Sequence, residues 1–366
     1  MARSRNAVCW ALVGACSLTG CGSSSTAPGD SLDAGSDAGS EGSGSSAGPG
    51  TTVALFGGFD VDDKPLNDTW LWNGSVWKKA DTAGAAPPGP TPYWFGLAAA
   101  MMANSVVLFD GVSGSTDELT WTWSGSKWTR SSGPNFRSFT RVVGFGNLVA
   151  AAPLNGIVVF YDGQDTWQWN ASRWAMQTAV TGLTPPTRAA ASMATFRADD
   201  GSDELVLFGG FSTTANLGDT WVGNGTTWNQ VNPTPAPSAR ASASMASLDG
   251  AVVLFGGEGP GNPTNDTWIW NGRTWSQATP AAGSATPPAR ASAAMASVGG
   301  KILMFGGYAA GTYPICGPGT TTGCCTRGKS QCLINDTWLW DGRAWAQVDD
   351  KGAAPSLRGA AVMAAY

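Results

Sequence analysis

One motif recurs six times along this chain and limits the folds that the chain can adopt. Its clearest copy joins an apolar run ending in Phe255-Gly256-Gly257 to Trp268-Ile269-Trp270, a tight turn and Trp275. The Phe that ends each apolar run lies 47 to 53 residues from the next, at Phe56, Phe109, Phe160, Phe208, Phe255 and Phe305. A nearly fixed period of this length indicates an array of small, equivalent supersecondary units.

Each full unit reads as four short strands. The apolar run is the second strand, and a Trp-x-Trp pair marks the third, at Trp70/Trp72, Trp121/Trp123, Trp167/Trp169, Trp268/Trp270 and Trp338/Trp340, with Trp221 alone in the fourth unit. A further Trp opens the fourth strand, at Trp77, Trp128, Trp174, Trp228, Trp275 and Trp345. The turn before it is usually Asn-Gly or Asp-Gly, which accepts the positive φ angles of a tight hairpin. The first strand follows an Arg, at Arg188, Arg240, Arg290 and Arg358.

The composition agrees with a turn-rich protein made of strands. The 366 residues include 50 Gly and 22 Pro, and only 13% of them are charged. The chain contains no His, which removes the commonest general base and the commonest ligand for transition metals. The formal net charge is -5, without a basic patch, which argues against a nucleic-acid partner.

The Gly-Gly after an apolar strand, the Trp of the third strand and the Trp that opens the fourth resemble the Kelch repeat. The resemblance covers residues 51–366 and recurs in all six units. It implies an all-β fold, a six-bladed Kelch-type β-propeller like the central domain of galactose oxidase, with four antiparallel strands per blade. Residues 51–79 lack a first strand. Residues 355–366 supply one, so we expect the last strand to close the first blade.

The first 50 residues predict an export signal and a tether. Residues 1–21 resemble a bacterial lipoprotein signal peptide, because two arginines precede a short apolar run and Leu18-Thr19-Gly20-Cys21 matches the lipobox. The alternatives are an ordinary secretory signal and a chance match to the lipobox. The resemblance implies cleavage before Cys21 and lipidation of its thiol, and Gly22 favours the outer membrane. Residues 22–50 are rich in Ser, Gly and Asp, and they predict a disordered tether.

The longest insertion in the repeat, residues 308–335, contains four cysteines, at Cys316, Cys324, Cys325 and Cys332. In an exported protein, cysteines this close favour disulfides. Because the two adjacent cysteines are expected to bond to different partners, the pairs are 316–324 with 325–332, or 316–325 with 324–332. The alternative is a metal site of four thiolates, which an oxidising compartment disfavours.

Ligand-binding residues are expected on the face with loops between second and third strands, because these loops vary while the opposite turns are short. One candidate set is the recurring Arg, which would ring the channel mouth and bind an anion: Arg188, Arg240, Arg290 and Arg358. The alternative is that each Arg bonds to its own blade's backbone or to a neighbouring Asp. Tyr93 and Trp94 replace the expected pattern in the second unit. Their rings either stack on a bound sugar or fill a gap in the local packing.

These features predict a membrane-anchored, extracytoplasmic binding module that presents variable loops to a protein or a glycan, without catalytic residues. We expect no cofactor, no metal ion and a monomeric propeller. Two alternatives stay open: a carbohydrate-active enzyme of the epimerase or lyase type that works without His, and a structural component of the envelope. The absence of His argues against the copper chemistry of galactose-oxidase-like enzymes.

Overall fold

The computed structural model describes residues 52–82, 86–87, 97–110, 119–132, 150–177, 183–281, 283–310, 324–325, 331–349 and 354–366. Within these ranges the chain forms 27 strands and no helix. The described residues accordingly include no helix with the length and apolarity to cross a membrane. The predicted signal peptide 1–21 and tether 22–50 lie outside these ranges and stay predictions.

Six antiparallel sheets of four strands form the blades of a propeller, as the repeat predicts. Blade 1 contains β1 (Val53–Phe56), β2 (Thr69–Trp72), β3 (Trp77–Lys79) and the C-terminal β27 (Val362–Ala365). Blades 2 and 3 contain β4 (Leu97–Met102), β5 (Ser105–Asp110), β6 (Leu119–Trp123), β7 (Trp128–Ser132), β8 (Ala150–Leu154), β9 (Ile157–Tyr161), β10 (Thr166–Trp169) and β11 (Trp174–Gln177). Blades 4 and 5 contain β12 (Ser192–Arg197), β13 (Asp203–Phe208), β14 (Thr220–Gly223), β15 (Trp228–Val231), β16 (Ser244–Leu248), β17 (Ala251–Phe255), β18 (Thr267–Trp270) and β19 (Trp275–Gln277).

Blade 6 carries the long insertion of the repeat. Its four strands are β20 (Ala294–Val298), β21 (Lys301–Phe305), β25 (Thr337–Trp340) and β26 (Trp345–Val348). Between β21 and β25 the chain forms a separate three-stranded sheet from β22 (Tyr308–Ala310), β23 (Cys324–Cys325) and β24 (Gln331–Leu333). The insertion therefore leaves the four-stranded order of the blade unchanged.

The second strand of each blade shows why the apolar runs are continuous rather than alternating. In blade 5, Val252 to Phe255 are all at most 2% exposed, although neighbouring side chains in a strand point to opposite faces of the sheet. Both faces are buried because a blade packs against one neighbour on each side. The core is accordingly divided into six clusters, and each cluster combines side chains of two adjacent blades.

The C-terminal strand closes blade 1, which confirms the split blade predicted from the sequence. β27 pairs antiparallel with β1, so that Met363 lies opposite Leu55 and Ala365 lies opposite Val53. The backbone N–H of Tyr366 extends this pairing by donating to the carbonyl of Thr52 at 2.9 Å. The inner edge of β1 is therefore covered by the other end of the chain.

A hydrogen bond between Trp and Thr joins every pair of adjacent blades. The Trp that opens the fourth strand of one blade donates its indole N–H to a Thr that is the first or second residue of the third strand of the preceding blade. The six bonds are 2.7 to 3.0 Å long and join Trp77 to Thr337, Trp128 to Thr69, Trp174 to Thr120, Trp228 to Thr166, Trp275 to Thr220 and Trp345 to Thr267.

The same Trp rings contact an aromatic residue that is the last or second-last residue of the second strand of the preceding blade. In the first case the Trp77 and Phe305 rings meet edge to face, with centroids 5.5 Å apart. The equivalent contacts join Trp128 to Phe56, Trp174 to Phe109, Trp228 to Tyr161, Trp275 to Phe208 and Trp345 to Phe255. Edge-to-face pairs of this kind add stability beyond the buried area alone. The Phe and the last Trp of the motif are therefore contacts between blades.

In blades 2, 4 and 5 the turn between the third and fourth strands packs against the preceding blade. In blade 5 Gly272 has a φ of 92°, and a Cβ on it would lie 2.4 Å from the Phe196 ring of blade 4. Blade 3 has Ala171 at this turn position, with a φ of 72°. Positive φ is unfavourable for a residue with a side chain, so the Ala171 turn stores strain that the Gly turns do not.

Candidate binding face

The two ends of the propeller differ in the segments that they carry. We use "turn face" for the end with the turns between first and second and between third and fourth strands. The "loop face" is the opposite end, with the loops between second and third strands and the connections between blades. In blades 4 and 5 the loops run over 211–218 and 258–265, and in blade 6 the three-stranded sheet takes this place.

The recurring Arg fixes the base of each loop, as blade 5 shows most fully. The guanidinium of Arg240 donates to both carboxylate oxygens of Asp266, at 2.5 and 2.8 Å. Further donations reach the carbonyls of Ser238 and Gly256 and the hydroxyls of Ser238 and Thr264, at 2.8 to 3.0 Å. Every N–H of this guanidinium thus has an acceptor within its own blade, which makes the group part of the loop's structure.

The same Arg-Asp contact, which we call the clasp, occurs in four blades. Its shortest N–O distance is 2.5 to 2.7 Å, and the pairs are Arg188–Asp219, Arg240–Asp266, Arg290–Asp336 and Arg358–Asp68. Each Arg side chain is at most 1% exposed. These buried and paired guanidinium groups give no support to the hypothesis that the four arginines ring the channel mouth and bind an anion. Its alternative, bonding within the blade, is what the contacts show.

The Asp of the clasp has a second partner. In blade 5 the indole N–H of Trp268 donates to Asp266 at 2.6 Å, and equivalent bonds join Trp70 to Asp68, Trp221 to Asp219 and Trp338 to Asp336. The Asp therefore connects the end of the loop to the third strand. Through the Arg it is also connected to the segment that leads into the first strand.

Burial by itself would raise the pKa of the Asp266 carboxyl. The hydrogen bonds from Arg240 and Trp268, together with the guanidinium charge, outweigh burial and hold this pKa below its ordinary value. The same balance lowers the pKa of Asp68 and Asp219. These carboxyls are thus ionised at neutral pH and are already occupied by the clasp, which leaves them unsuited to general acid or base catalysis.

The clasp also explains the Gly-Gly pair. The N–H of Gly257 donates to the carbonyl of Arg290 in the next blade at 2.9 Å, and Gly256 has a φ of 63°. A Cβ on Gly256 would lie 2.4 Å from that same carbonyl oxygen. A residue with a side chain would push the next blade's Arg away, so the two signatures of the motif depend on one another.

Blade 3 departs from this arrangement. The indole of Trp167 donates to Asp162 at 3.0 Å, and the other carboxylate oxygen of Asp162 accepts the N–H groups of Gln164 and Asp165. Burial and the neighbouring Asp162 charge raise the pKa of Asp165. Burial also raises the pKa of Tyr161. The strand register places Tyr161, and not Phe160 as the sequence alignment predicted, at the position of the motif's Phe, opposite Thr166.

The loops beyond the clasps differ from blade to blade. In blade 1, Asp60 accepts the N–H groups of Asp62 and Lys64 at 2.9 Å each, which closes a local turn. In blade 4, Ser212 takes the equivalent role towards Thr214 and Ala215. Among the described residues, no cluster of three acidic or thiol side chains is arranged to hold a metal ion. In these two blades the loop tips are thus ordered by their own polar residues.

One residue beyond the Gly-Gly pair, the loop face carries aromatic side chains in three blades. They are the partly exposed Phe59, Phe211 and Tyr308, whereas blade 5 has the exposed Glu258. Burial, with a smaller effect of the Asp63 carboxylate, raises the pKa of Tyr308 to about 12, so its phenol is neutral. The Tyr308 ring lies on Gly359, where a Cβ would approach ring atoms to 2.2 Å.

The remaining predicted site residues are only partly covered. Tyr93 and Trp94 lie outside the described residues, and so do Cys316 and the lipidation residue Cys21. Cys332 is completely buried and is disulfide-bonded, but the sulfur that it joins is not among the described side chains. In the backbone register Cys332 lies opposite Cys325 on one side and Ala309 on the other. Both disulfide pairings therefore stay predictions.

Sequence comparison adds one finding. The family model described as the KLHDC2/KLHL20/DRC7 Kelch-repeats domain matches residues 155–366, which is more than half of the chain. The matched region runs from blade 3 to the C-terminal strand, and it includes all four Arg of the clasps. No curated protein matches the chain.

Proposed function

Because the chain belongs to the Kelch-repeat family, we propose that it is a binding module that holds a protein partner on its loop face. We further propose that a lipid on Cys21 anchors it in the bacterial envelope, on the outer membrane. Kelch propellers typically serve as protein-interaction modules, and this general role supports the proposal.

The observation that carries the proposal is the contrast between the bases and the tips of the loops. The clasps bury one ion pair at the base of the loop in each of four blades. Beyond them the tips differ in length and in composition, with exposed residues such as Thr213 and Asn262. Rigid bases reduce the entropy that a loop loses on binding, while variable tips determine which partner fits.

The start of the propeller supports this choice of face. Thr52, the first described residue, is hydrogen-bonded to Tyr366, and β1 runs from there towards Gly57 and Gly58 at the loop face. The chain thus enters the propeller on the turn face. The loop face is left to the loops and the insertion of blade 6.

Site-specific photocrosslinking in living cells tests the proposal. A photoreactive amino acid is placed at Thr213 or Asn262 on the loop face, and at Ser172 or Arg273 on the turn face as matched controls; all four residues are exposed. We expect one discrete crosslinked protein from the loop-face positions and none from the controls. Crosslinks from the turn face alone would contradict the proposal. A crosslinked glycan in place of a protein would show that the partner is a glycan.

Binding of the purified partner provides the second step. Thr213→Arg and Asn262→Arg should each weaken the affinity by about tenfold or more, because a bulky charge at a fitted contact leaves groups unpaired. Arg273→Ala on the turn face is the matched control and should bind as the unaltered chain does. If all three variants bind the partner with equal affinity, the binding site does not lie on these two loops.

The anchor is tested separately. In cells fed with labelled fatty acid, the unaltered chain should carry the label and fractionate with the outer membrane, whereas Cys21→Ser should do neither. Label on the Cys21→Ser variant would contradict lipidation at that thiol. An unlabelled but exported chain would favour the ordinary secretory signal.

A further inference from the structure

A cavity of about 370 Å³ lies along the centre of the propeller. It is lined by the first strand of every blade, namely β4, β8, β12, β16, β20 and β27. Its lining extends to the exposed residues Met101 and Asp249, which belong to the turn face. The cavity is therefore distinct from the loop face, and a role for it does not depend on the proposed function.

The side chains that line this cavity are almost all apolar or small. Ala and Met predominate, Thr and Ser supply hydroxyls, and Asp249 at the rim is the one ionisable side chain in the lining. A ligand-sized pocket is typically 300 to 1,000 Å³ and mainly apolar. Apart from Asp249 at the rim, the wall carries no charge, and it therefore disfavours anions and strongly polar ligands, whose hydration its few hydroxyls would not replace.

Strand edges usually present unpaired backbone groups, which would keep a central channel wet. Here hydroxyl groups pair several of them across neighbouring first strands. Thr195 donates to the carbonyl of Pro153, Ser247 donates to that of Thr195, and Ser297 donates to that of Ser247. Towards the loop face, Ser192 and Ser244 donate to the carbonyls of Ala243 and Ala293, at 2.6 and 2.7 Å. These bonds lower the need for water along the wall.

One position of the first strand lies in this lining in all six blades and differs between them in side-chain size. It lies opposite the residue that precedes the aromatic end of the second strand, and four blades place a Met there: Met193, Met245, Met295 and Met363. Blades 2 and 3 have Ala99 and Ala151 instead. The Met side chains are larger than Ala by several methylene-sized groups, so the two Ala leave space that the repeat fills elsewhere.

We propose that this channel binds one uncharged, largely apolar small molecule, which enters from the turn face past Met101 and Asp249. A cavity of about 150 Å³ holds one benzene ring. A volume of about 370 Å³ therefore suits a molecule of roughly two to three six-membered rings. Methionine side chains adapt to ligands of different shape and make favourable contacts with aromatic rings.

Two fluorescent probes with the same ring skeleton test the chemistry. They are the uncharged N-phenyl-1-naphthylamine and its sulfonate, 8-anilinonaphthalene-1-sulfonate. Each is titrated into the purified full-length chain carrying Cys21→Ser, so that no attached lipid competes. We expect saturable binding of the uncharged probe at one site and an affinity for the sulfonate at least tenfold lower. Absence of saturable binding, or equal affinity for both probes, would overturn the proposal.

Filling the cavity tests the location. Ala99→Met and Ala151→Met introduce a side chain that other blades carry at the same position, and each should weaken binding of the uncharged probe at least tenfold. The matched control is Ala175→Met on the exposed side of the outer strand β11, which should bind as before. Binding by Ala151→Met equal to that by Ala175→Met would overturn the assignment.

The exposed rim residue gives a test that does not depend on core packing. Asp249→Lys should leave the affinity for the uncharged probe unchanged and raise that for the sulfonate severalfold, because the charge at the mouth is reversed. An unchanged affinity for the sulfonate would contradict entry past Asp249.

Discussion

The indole nitrogen of Trp77 lies 3.0 Å from the hydroxyl oxygen of Thr337, 260 positions later in the chain. Trp77 opens the outermost strand of blade 1, and Thr337 begins the third strand of blade 6. This bond is one of six equivalent bonds, and it joins the first and last blades of the ring. The interface that closes the ring is thus built like the other five.

Removing the acceptor of this bond should destabilise the protein. Thr337→Val keeps the shape of the side chain but leaves the buried Trp77 N–H unpaired, which costs about 1 to 3 kcal/mol. Urea unfolding, followed by tryptophan fluorescence, measures the change in free energy of unfolding. Thr213→Val, at an exposed loop position, is the control and should change that free energy by less than about 0.5 kcal/mol. Equal stability of the two variants would contradict the role of the bond.

The clasp that joins the chain ends should be strongly coupled. Arg358 is completely buried, and its partner Asp68 lies 290 positions earlier. Breaking a buried pair from one side leaves an unpaired charge and costs about 3 to 5 kcal/mol. Arg358→Leu and Asp68→Asn should therefore each cost several kcal/mol. The double variant should cost clearly less than the two losses added together. Additive losses in this double-mutant cycle would show that the two residues act independently.

Acid should destabilise the propeller through the clasps. The pKa values of Asp68, Asp219 and Asp266 are lower in the folded protein than the ordinary value of 3.8. The corresponding stability is fully present above the unfolded pKa of about 4 and is lost as the pH falls through the lower, folded pKa. The melting temperature should thus fall below about pH 4. In Asp266→Asn, which is less stable at pH 7, this fall should be smaller. An unchanged acid profile in that variant would rule out Asp266 as a contributor.

The two kinds of hairpin turn predict opposite effects of exchanging Gly and Ala. Ala171→Gly should raise the free energy of unfolding by about 1 kcal/mol, because Ala171 has a positive φ of 72°. Gly272→Ala should lower it by more, since the new Cβ would also meet the Phe196 ring at 2.4 Å. Calorimetry on both variants checks the pair. Destabilisation by Ala171→Gly would show that its turn is not strained.

The fold could be predicted from the sequence because its determinants are local and repeated. The Trp-x-Trp pair, the turn and the apolar run specify strands, and six copies specify a ring. The closure of the ring could also be predicted, because the unit around Val53 lacks the first strand that residues 355–366 supply. The partners between blades were not predicted. Thr337 and Phe305 look like ordinary strand residues, and their contacts depend on how two sheets pack.

The candidate site was harder to predict because a recurring charged residue is compatible with two roles. It can bind a ligand, or it can stabilise the structure of its own blade. The sequence contains a signal that separates the two. The second unit lacks the Arg, having Trp94 there, and it also lacks the Asp, having Leu119 two residues before Trp121. Joint absence indicates that the two residues serve each other. Tyr93 and Trp94 still stand at that departure from the repeat, and their role stays a prediction.

The ring of Trp–Thr bonds has a consequence for where the chain can begin. Every blade donates one such bond and accepts another, so these bonds hold each blade to both of its neighbours. Thr52 and Tyr366, the first and last residues of the described propeller, are already hydrogen-bonded at 2.9 Å. Joining them with a short linker and cutting the chain at the turn of Asn271 and Gly272 would preserve all six bonds. The fold is thus suited to circular permutation, because these six bonds do not depend on the blade in which the ring is opened.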